Sequence, residues 1–311
     1  MIALYDIYMA RKRIQPFIRR TPFDNSQFLS EHYGGEIWLK HENLQFTGSF
    51  KIRGAANRML SMRPEEHKKG VITASAGNHG LGISYMANVL GIKARIFVPE
   101  NTPEVKRTAI RSFGAELVVY GTEYIEAEKL AIETANQEET TFISAYNDPI
   151  LIAGQGTVGL EMLEENPELD IILMPLGGGG LASGIASLWK NVTTTQIIGV
   201  QSTASPVMYE SMKAGYIVDI PLKDSIAEGL HGGIEHGSIT LDICRRLLDN
   251  VILVEEQTIR DAIRLLLFKQ REVVEGAGAV GVAALIEKPN LFRGKKVCIV
   301  LSGGNLGEEI L

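Results

Sequence analysis

Short apolar segments alternate with helical patterns along most of the chain. The strand-like segments form two series, and a segment of helical length separates each one from the next. The first series comprises Glu36–Lys40, Val71–Ser75, Ala94–Pro99, Glu116–Tyr120 and Thr141–Ser144. The second comprises Ile171–Leu176, Gln196–Ser202, Val251–Glu255 and Lys296–Leu301. This alternation predicts an α/β fold with parallel sheets, whose ligands bind at the carboxyl ends of the strands.

Helix signals and the two strand series predict how the chain is organised. A helix is expected at Leu4–Ile14, and another begins where Thr102 is the N-cap and Pro103 the first helical residue. The two series predict two α/β domains with a hinge near Asp148. The pattern alone does not determine where the first forty-odd residues dock; we expect them in the larger domain, which then comprises residues 1–46 plus 148–311, with a smaller domain of residues 47–147.

Composition and charge exclude several classes of protein. Of the 311 residues, 45% are apolar and 22% are charged, which supports a full-sized core and excludes global disorder. The 31 basic and 37 acidic residues give a net charge of −6, which argues against a nucleic-acid or membrane-surface partner. No apolar run approaches the ~20 residues of a membrane span. Cys244 and Cys298 lie in apolar segments and form no disulfide framework, so a cytoplasmic location is expected.

A run of four glycines, Gly177–Gly180, follows a strand and precedes a helix predicted at Ala182–Trp189. An ordered glycine costs about 1 kcal/mol in chain entropy, so packing alone does not account for four of them. A backbone free of side chains presents N–H groups to an anion, and the helix N-terminus adds a favourable dipole. The run therefore predicts a phosphate-binding loop; the alternative, a tight turn, needs only one or two glycines.

The same loop loosely matches a dinucleotide-binding fingerprint, Gly177-x-Gly179-x-x-Ala182. That interpretation requires an acidic residue about 20 positions later to bind the ribose. Gln201–Thr203 stands there and contains no acid, so the dinucleotide interpretation is disfavoured.

Lys51 lies within Thr47–Ala55, among apolar and small residues at or near a helix start. Desolvation and the helix dipole both lower the pKa of an amine there and make it a better nucleophile. Taken alone, such a lysine is more often a solvated surface residue. Together with a phosphate-binding loop that lacks a ribose-binding acid, it predicts a pyridoxal phosphate site.

A third loop joins a strand to a helix and consists of Ser75, Ala76, Gly77, Asn78 and His79. Small residues let a ligand approach the backbone, and N–H groups at a helix start suit a carboxylate. Asn78 offers a donor for a ring hydroxyl, and Ser75 offers a hydroxyl for the carboxylate. One alternative is a second dinucleotide turn, with Glu100 at the next strand end; for His79 alone, a packing role is the other.

Ser302 follows the last strand and faces the same crevice in the predicted fold. A hydroxyl opposite a pyridine nitrogen forms a neutral hydrogen bond, whereas an aspartate there would keep the ring protonated. An ordinary Ser-Gly-Gly turn is the alternative.

With these loops in order, the chain resembles the fold-type II pyridoxal-phosphate enzymes, whose fold is similar to that of the tryptophan synthase β chain. Within them it is similar to the threonine/serine dehydratases and serine racemases. The similarity covers nearly the full length and includes Ala153–Thr157 and Glu275–Ala279. The resemblance implies two parallel-sheet α/β domains, with the cofactor pyridoxal 5'-phosphate in the crevice between them.

The resemblance also implies roles for individual residues. Lys51 would hold the cofactor through a Schiff base and act as the catalytic base, with Phe50 beside the ring. Asn78 would face the ring hydroxyl and Ser302 the pyridine nitrogen. The phosphate would be bound by Gly177, Gly178, Gly179, Gly180 and Leu181. The substrate carboxylate would be bound by Ser75, Ala76, Gly77, Asn78 and His79.

Departures from the family's patterns sharpen the expectation. Similar racemases have a second serine, which acts as an acid/base, where this chain has Ala76, so racemisation should be poor while elimination is preserved. Similar eukaryotic members bind a divalent metal, but Gln201, Ser205 and Val207 offer no carboxylate, so no metal is expected there. Biosynthetic threonine dehydratases append a regulatory domain that the segment after Asn305 is too short to hold, so isoleucine feedback is not expected.

The sequence therefore predicts a pyridoxal-phosphate-dependent threonine and serine dehydratase, an ammonia-lyase that releases a 2-oxo acid and ammonia. Within the class, a serine racemase or a dehydratase of the hydroxyectoine-utilisation type remains an alternative. Outside it, the alternatives are an NAD-dependent oxidoreductase and a non-catalytic amino-acid-binding regulator. We expect a small amino-acid substrate, no nucleic-acid or membrane partner, and a homo-oligomer, either a dimer or a tetramer.

Overall fold

A computed structural model describes residues 2–307, and within that range ten strands form two sheets. In chain order the strands are β1 (Phe23–Asn25), β2 (Glu36–His41), β3 (Val71–Ala74), β4 (Ala94–Val98), β5 (Glu116–Val119), β6 (Thr141–Phe142), β7 (Ile171–Pro175), β8 (Gln196–Ser202), β9 (Asn250–Val254) and β10 (Lys296–Leu301). The larger sheet has the order β1-β2-β10-β7-β8-β9, and the smaller has the order β5-β4-β3-β6. Every strand pair is parallel except β1 with β2.

Helices connect the strands and cover both sheets. In chain order they are α1 (Leu4–Ile14), α2 (Gln27–Tyr33), α3 (Lys51–Leu60), α4 (Pro64–Lys69), α5 (Asn78–Leu90), α6 (Glu104–Ser112), α7 (Tyr124–Gln137), α8 (Pro149–Glu165), α9 (Gly180–Val192), α10 (Val207–Ala214), α11 (Ile239–Leu247), α12 (Glu256–Leu265), α13 (Gly276–Glu287) and α14 (Pro289–Phe292). None of these described helices is both long and apolar enough to cross a lipid bilayer.

The larger sheet is buried on both faces, which explains why its strands are continuous apolar runs. All five residues of β7 are buried, and two apolar clusters lie on opposite faces of the sheet. The core of the smaller sheet extends beyond it, because Ile14 of α1 and Leu151 of α8 pack in the same cluster as Ile52 of α3 and Ile96 of β4. Helix α3 therefore packs between the two parts of the molecule.

The α/β class, the two sheets and the predicted strands are confirmed. Most of the predicted strands begin where expected and end one or two residues from the expected position. Strand β1 was not predicted; its three residues pair with β2 and place the segment before Glu36 on the larger sheet. The last strand of the first series is also shorter than expected. It ends at Phe142, because the chain turns where Ser144 Oγ accepts the N–H groups of Tyr146 and Asn147.

The predicted start of one helix is wrong. Thr102 is not the N-cap of α6 and Pro103 is not its first residue, because Pro103 has an extended backbone (φ −55°, ψ 142°) and is itself the N-cap. Its carbonyl oxygen accepts the N–H groups of Lys106 and Arg107, both at 3.1 Å. Thr102 Oγ1 is buried and has no hydrogen-bond partner among the described residues.

Candidate active site

Lys51 is the first residue of α3, and its amine points toward the chain that leaves the smaller sheet. Nζ donates a hydrogen bond to the carbonyl oxygen of Ala145 at 2.8 Å and lies 5.4 Å from the centroid of the Phe50 ring. Burial lowers the pKa of Lys51 to about 8, although the negative charge of Glu275 opposes that shift. The lowered pKa therefore makes the unprotonated amine, which a nucleophile or base requires, far more abundant near neutral pH than for an exposed lysine.

The start of α3 is fixed to the segment that follows β10. The N–H of Phe50 donates to the carbonyl oxygen of Ser302 at 3.0 Å, and Ser49 forms an antiparallel bridge with Gly303. The N–H of Gly304 donates to the carbonyl oxygen of Gly48 at 2.9 Å. The predicted proximity of Ser302 to Lys51 is thus present, and backbone hydrogen bonds maintain it.

A buried group of charged residues surrounds Arg53, which is two positions after Lys51 in α3. We call Lys40, Glu42, Arg53 and Glu161 the Arg53 cluster. The Arg53 guanidinium donates to Glu42 at 2.7 Å and to Glu161 at 2.8 Å, and Lys40 Nζ donates to Glu161 at 2.6 Å. Burial alone would lower the pKa of Arg53, but the two glutamates raise it above its ordinary value. Burial alone would raise the pKa of Glu161, but Arg53 and Lys40 hold it below its ordinary value.

The four-glycine loop joins β7 to α9, and there is no room in it for larger side chains. A Cβ atom on Gly178 would lie 2.5 Å from the Tyr146 ring, and one on Gly180 would lie 3.1 Å from the Tyr146 backbone. Gly179 has a φ of +83°, which disfavours any other residue. Helix α9 begins at Gly180, so its unpaired N–H groups belong to this loop. These features fit the predicted phosphate-binding loop.

Side chains from other elements hold this loop in place. Thr240 Oγ1 donates to the carbonyl oxygen of Gly178 at 2.7 Å, and a Cβ atom on Gly177 would lie 3.2 Å from the Cα of Leu230. The Leu181 side chain is buried in the core of the larger sheet. Leu181 can therefore contribute its backbone N–H to an anion, but not its side chain.

The loop from Ser75 to His79 connects β3 to α5. The N–H of Gly77 donates to Ser75 Oγ at 3.2 Å, and no described atom lies within 4 Å of a Cβ atom built on Gly77. Gly77 thus faces open space, while the Ala76 side chain packs against the core of the smaller sheet. The backbone of this loop is accessible to a ligand, as predicted from its small residues.

The His79 side chain, in contrast, is buried. Its Nε2 lies 3.2 Å from the carbonyl oxygen of Ile143, and only 2% of the residue is exposed. Burial, together with the positive charge of Lys51, lowers the pKa of His79 to about 3, so the imidazole is neutral. The geometry favours the packing role for the imidazole and leaves the backbone of His79 as the part that could meet a carboxylate.

Asn78 takes part in a network with two residues for which the sequence gave no role. Its Nδ2 donates to Glu275 Oε1 and its Oδ1 accepts from Asn305 Nδ2, both at 2.7 Å. Burial raises the pKa of Glu275 to about 7, although hydrogen bonds from Asn78 and Asn305 oppose the shift. Glu275 lies within a motif quoted for the resemblance, and a lone carboxylate at the start of a Gly/Ala run was the signal that could have found it.

A cavity of about 620 Å³ opens beside these residues. It lies between the start of α6 and residues 224–260. Its lining includes Lys106, Glu228 and Arg260. Lys106 forms an ion pair with Glu228 across it. Lys51, the glycine loop and Ser302 do not line it. The cavity is therefore not the candidate site that these residues define.

The side chain of Gln201, where no metal is expected, forms hydrogen bonds within the protein. Gln201 Oε1 accepts the N–H of Tyr209 at 2.7 Å, and Gln201 Nε2 donates to the carbonyl oxygen of Ser205 at 3.4 Å. Across residues 2–307, no group of three or more His, Cys, Asp or Glu side chains is arranged to hold a metal ion.

The residues of this site fit pyridoxal phosphate. A side-chain-free loop at a helix N-terminus suits the phosphate, and a buried amine with a lowered pKa suits the aldehyde. A family model described as "Pyridoxal-phosphate dependent enzyme" matches residues 14–303. The chain belongs to this family, in its fold-type II class, and its cofactor is pyridoxal phosphate.

Individual relatives narrow the comparison. The L-threonine ammonia-lyase of Thermotoga maritima is 42% identical over 312 residues, which cover 100% of this chain and 77% of that protein. The solved structure of maize serine racemase matches with a TM-score of 0.94 at 32% identity and covers 99% of this chain and 95% of the racemase. The solved structure of threonine deaminase isoform 2 from Solanum lycopersicum, in its processed form, also matches with a TM-score of 0.94 at 32% identity. The match covers 98% of this chain and 84% of the deaminase.

Proposed function

We propose that this enzyme eliminates water from L-threonine and L-serine, releasing a 2-oxo acid and ammonia. The observation that carries the proposal is the Lys51 amine, whose pKa burial lowers to about 8, on a helix start that is fixed to the Ser302 segment. The threonine ammonia-lyase and threonine deaminase named among the relatives support the choice of substrate.

Each predicted site residue has a task in this reaction. Bound pyridoxal phosphate would supply the electron sink that stabilises negative charge at the substrate Cα. Backbone N–H groups of Gly177–Gly180 and Leu181 would bind the phosphate, while Phe50 would pack beside the ring. Asn78 would face the ring hydroxyl, and Ser302 would face the pyridine nitrogen as a neutral partner.

Lys51 has two tasks. Its amine would hold the cofactor, and as a free base it would remove the Cα proton of the substrate. The substrate carboxylate binds to Ser75 and to the N–H groups of Ala76, Gly77, Asn78 and His79 at the start of α5. The β-hydroxyl would leave as water by taking up one proton, which balances the proton that Lys51 removes from Cα. The released enamine then tautomerises and takes up water, which gives the 2-oxo acid and ammonia.

We also propose the division into a domain of residues 1–46 plus 148–311 and a domain of residues 47–147. The strands support it, since β3 to β6 form one sheet and the other six strands form the second. Closure of the smaller domain over the substrate would exclude water from the reacting carbon.

Serine racemase is the second candidate, and the match to the maize enzyme favours it. Racemisation needs an acid on the substrate face opposite Lys51, and the methyl group of Ala76 cannot carry a proton. We therefore assign any racemisation to a side reaction.

The test combines turnover with a covalent tag. The purified enzyme is incubated with L-threonine or L-serine, and 2-oxo acid and ammonia are measured in parallel; borohydride reduction followed by peptide mass mapping then locates the cofactor. We expect equal amounts of the two products and a tag on Lys51. Lys51→Ala should abolish product formation and the tag. Lys69→Ala, at an exposed lysine, should change neither product formation nor the tag. A tag on another lysine, or ammonia release by Lys51→Ala at the wild-type rate, would refute the assignment.

A cytoplasmic homo-oligomer completes the proposal. Cys244 and Cys298 are both free and buried, which supports a reducing compartment. Leu4 and Tyr8 are exposed one turn apart on α1, which supports contact with a second copy. Sedimentation of the holoenzyme distinguishes a dimer or tetramer from a monomer.

A further inference from the structure

Glu275 is a carboxyl group in the site to which the proposed reaction gives no task. It immediately precedes α13, but its side chain does not cap that helix. Instead Oε1 accepts a hydrogen bond from Asn78 Nδ2 at 2.7 Å, and the N–H of Asn305 donates to the same carboxyl group. A Cβ atom on Gly303 would lie 2.6 Å from Oε1, so this glycine leaves the space that the carboxyl group occupies.

The contacts of Glu275 decide which way the Asn78 amide points. An amide side chain can be turned over, which exchanges its oxygen and nitrogen. Here Asn305 Nδ2 donates to Oδ1 of Asn78, and Glu275 accepts from Nδ2. A donor on one side and an acceptor on the other admit a single orientation. Because an amide nitrogen carries two hydrogens, one N–H of Asn78 remains for another partner.

Charge strengthens this arrangement. A hydrogen bond to an ionised acceptor is about twice as strong as one between neutral groups, so this one is strongest above pH 7, where Glu275, with its pKa raised by burial to about 7, is mostly ionised. Glu275 also acts on the reactive lysine, since its negative charge favours the protonated form of Lys51. The carboxyl group therefore contacts the residue that meets the ring and acts at a distance on the residue that holds the cofactor.

We propose that Glu275 is a positioning residue, which orients the Asn78 amide so that its free N–H faces the ring hydroxyl of the cofactor. The proposal deepens the proposed function and rests on the assignment of Asn78 to the cofactor. Glu275 itself touches Asn78 and Asn305 and acts through them.

A double-mutant cycle on cofactor affinity tests the proposal without any measurement of turnover. The dissociation constant of pyridoxal phosphate is measured by equilibrium dialysis of the full-length holoenzyme for wild type, Glu275→Gln, Asn78→Ala and the double variant. We expect Glu275→Gln to weaken binding by about tenfold, and Asn78→Ala by at least as much. The double variant should bind no more weakly than Asn78→Ala, because the glutamate then has no amide to orient.

The matched control is Glu287→Gln, which removes the same charge from the last residue of the same helix, where the carboxylate accepts the N–H of Glu255. It should leave the dissociation constant unchanged. Losses that multiply in the double variant would show a structural role and overturn the proposal, as would wild-type affinity in Glu275→Gln or Asn78→Ala.

A second variant keeps the test decisive if Glu275→Gln does not fold. Glu275→Asp retains the charge but withdraws the carboxyl group by one methylene, and the same loss should again disappear in the Asn78→Ala background. The ammonia assay of the wild-type enzyme is independent of this cycle, so failure of the dehydratase assignment is separately visible.

Discussion

Two buried groups of ionisable residues lie around the first turn of α3, and burial has opposite consequences in them. In the Arg53 cluster, opposite charges lie within hydrogen-bond distance, so Arg53 and Glu161 remain charged. In the site, Lys51, His79 and Glu275 are not paired with opposite charges at such distances, and each pKa shifts toward the neutral form. Pairing, rather than burial, therefore decides whether a buried group is structural or reactive.

Helix geometry allows the two environments to adjoin. Residues 51 and 53 are two positions apart, so their side chains point to nearly opposite sides of α3. One side meets Glu42 and Glu161, while the other meets the carbonyl oxygen of Ala145. The Arg53 cluster thus fixes the position of α3, whose first residue, Lys51, is the candidate reactive amine.

The largest expected effect comes from breaking the paired group. Arg53→Met leaves Glu42 and Glu161 buried without their main cation and should lower the free energy of unfolding by about 3–5 kcal/mol. Arg63→Met is the control, because the Arg63 side chain is exposed and pairs with Glu66 at 3.1 Å. It should cost about 1 kcal/mol or less. Urea unfolding measures both, and equal losses would contradict the comparison.

Removing the charge of an unpaired buried residue, Lys51, should instead raise the free energy of unfolding. Because the folded pKa of Lys51, about 8, lies below its unfolded value, the folded apoprotein is penalised below pH 8. Lys51→Met should therefore stabilise the apoprotein at pH 7 by on the order of 2 kcal/mol, and this gain should shrink as the pH rises from 8 toward 10.5.

Urea unfolding of the apoprotein at several pH values measures this gain. The control is Lys69→Met, at an exposed lysine paired with Glu139, and should show no gain. A destabilised Lys51→Met apoprotein would mean that the amine is paired after all.

Two glycines sharpen the distinction between site and scaffold. Gly178→Ala places a methyl group 2.5 Å from the partly buried Tyr146 ring, so that the ring must shift; we expect cofactor affinity to fall about tenfold, and the apoprotein to lose less stability than Gly54→Ala does. Gly54→Ala, beside Arg53, meets Leu151 at 2.7 Å and should cost about 1–3 kcal/mol of stability. Cofactor dialysis and thermal unfolding of both variants test the pair, and the reverse ranking would refute it.

The smallest effect concerns a group that the site lacks. Ala76→Ser adds a hydroxyl where only a methyl group stands, and D-serine formation from L-serine should rise about tenfold from a low level. Chiral chromatography measures it. Ala76→Gly, which changes the side chain without adding a proton carrier, is the control, and an equal rise in both variants would refute the argument.

Much of the fold could be predicted, because its signals are local. Parallel strands buried on both faces are continuous apolar runs, so β7, β8 and β10 were visible in the sequence. The three-residue β1 escaped because it is too short for a pattern and forms only by pairing with β2. The wrong start of α6 reflects a proline that occupied the N-cap position itself.

The site divides in the same way. Lys51 and the glycine loop stand in contiguous motifs, so their chemistry could be predicted from neighbours along the chain. Glu275 and Glu161 could not be assigned, because their partners Asn78 and Arg53 lie 197 and 108 residues away in sequence. The motif at 153–157 is explained by contacts with α3: a Cβ atom on Gly154 would lie 2.6 Å from the carbonyl oxygen of Arg53, and Gln155 Oε1 accepts the N–H of Gly54 at 3.2 Å.

The bridge between Ser49 and Gly303 also has a consequence for biosynthesis. Its two residues are about 250 positions apart in the chain and are therefore synthesised at different times. The contacts between the start of α3 and the segment after β10 cannot form until Gly304 has been translated. The nascent polypeptide contains Lys51, Phe50 and Ala145 long before Gly303 is synthesised. Vitamin capture is consequently a late event in the maturation of the chain.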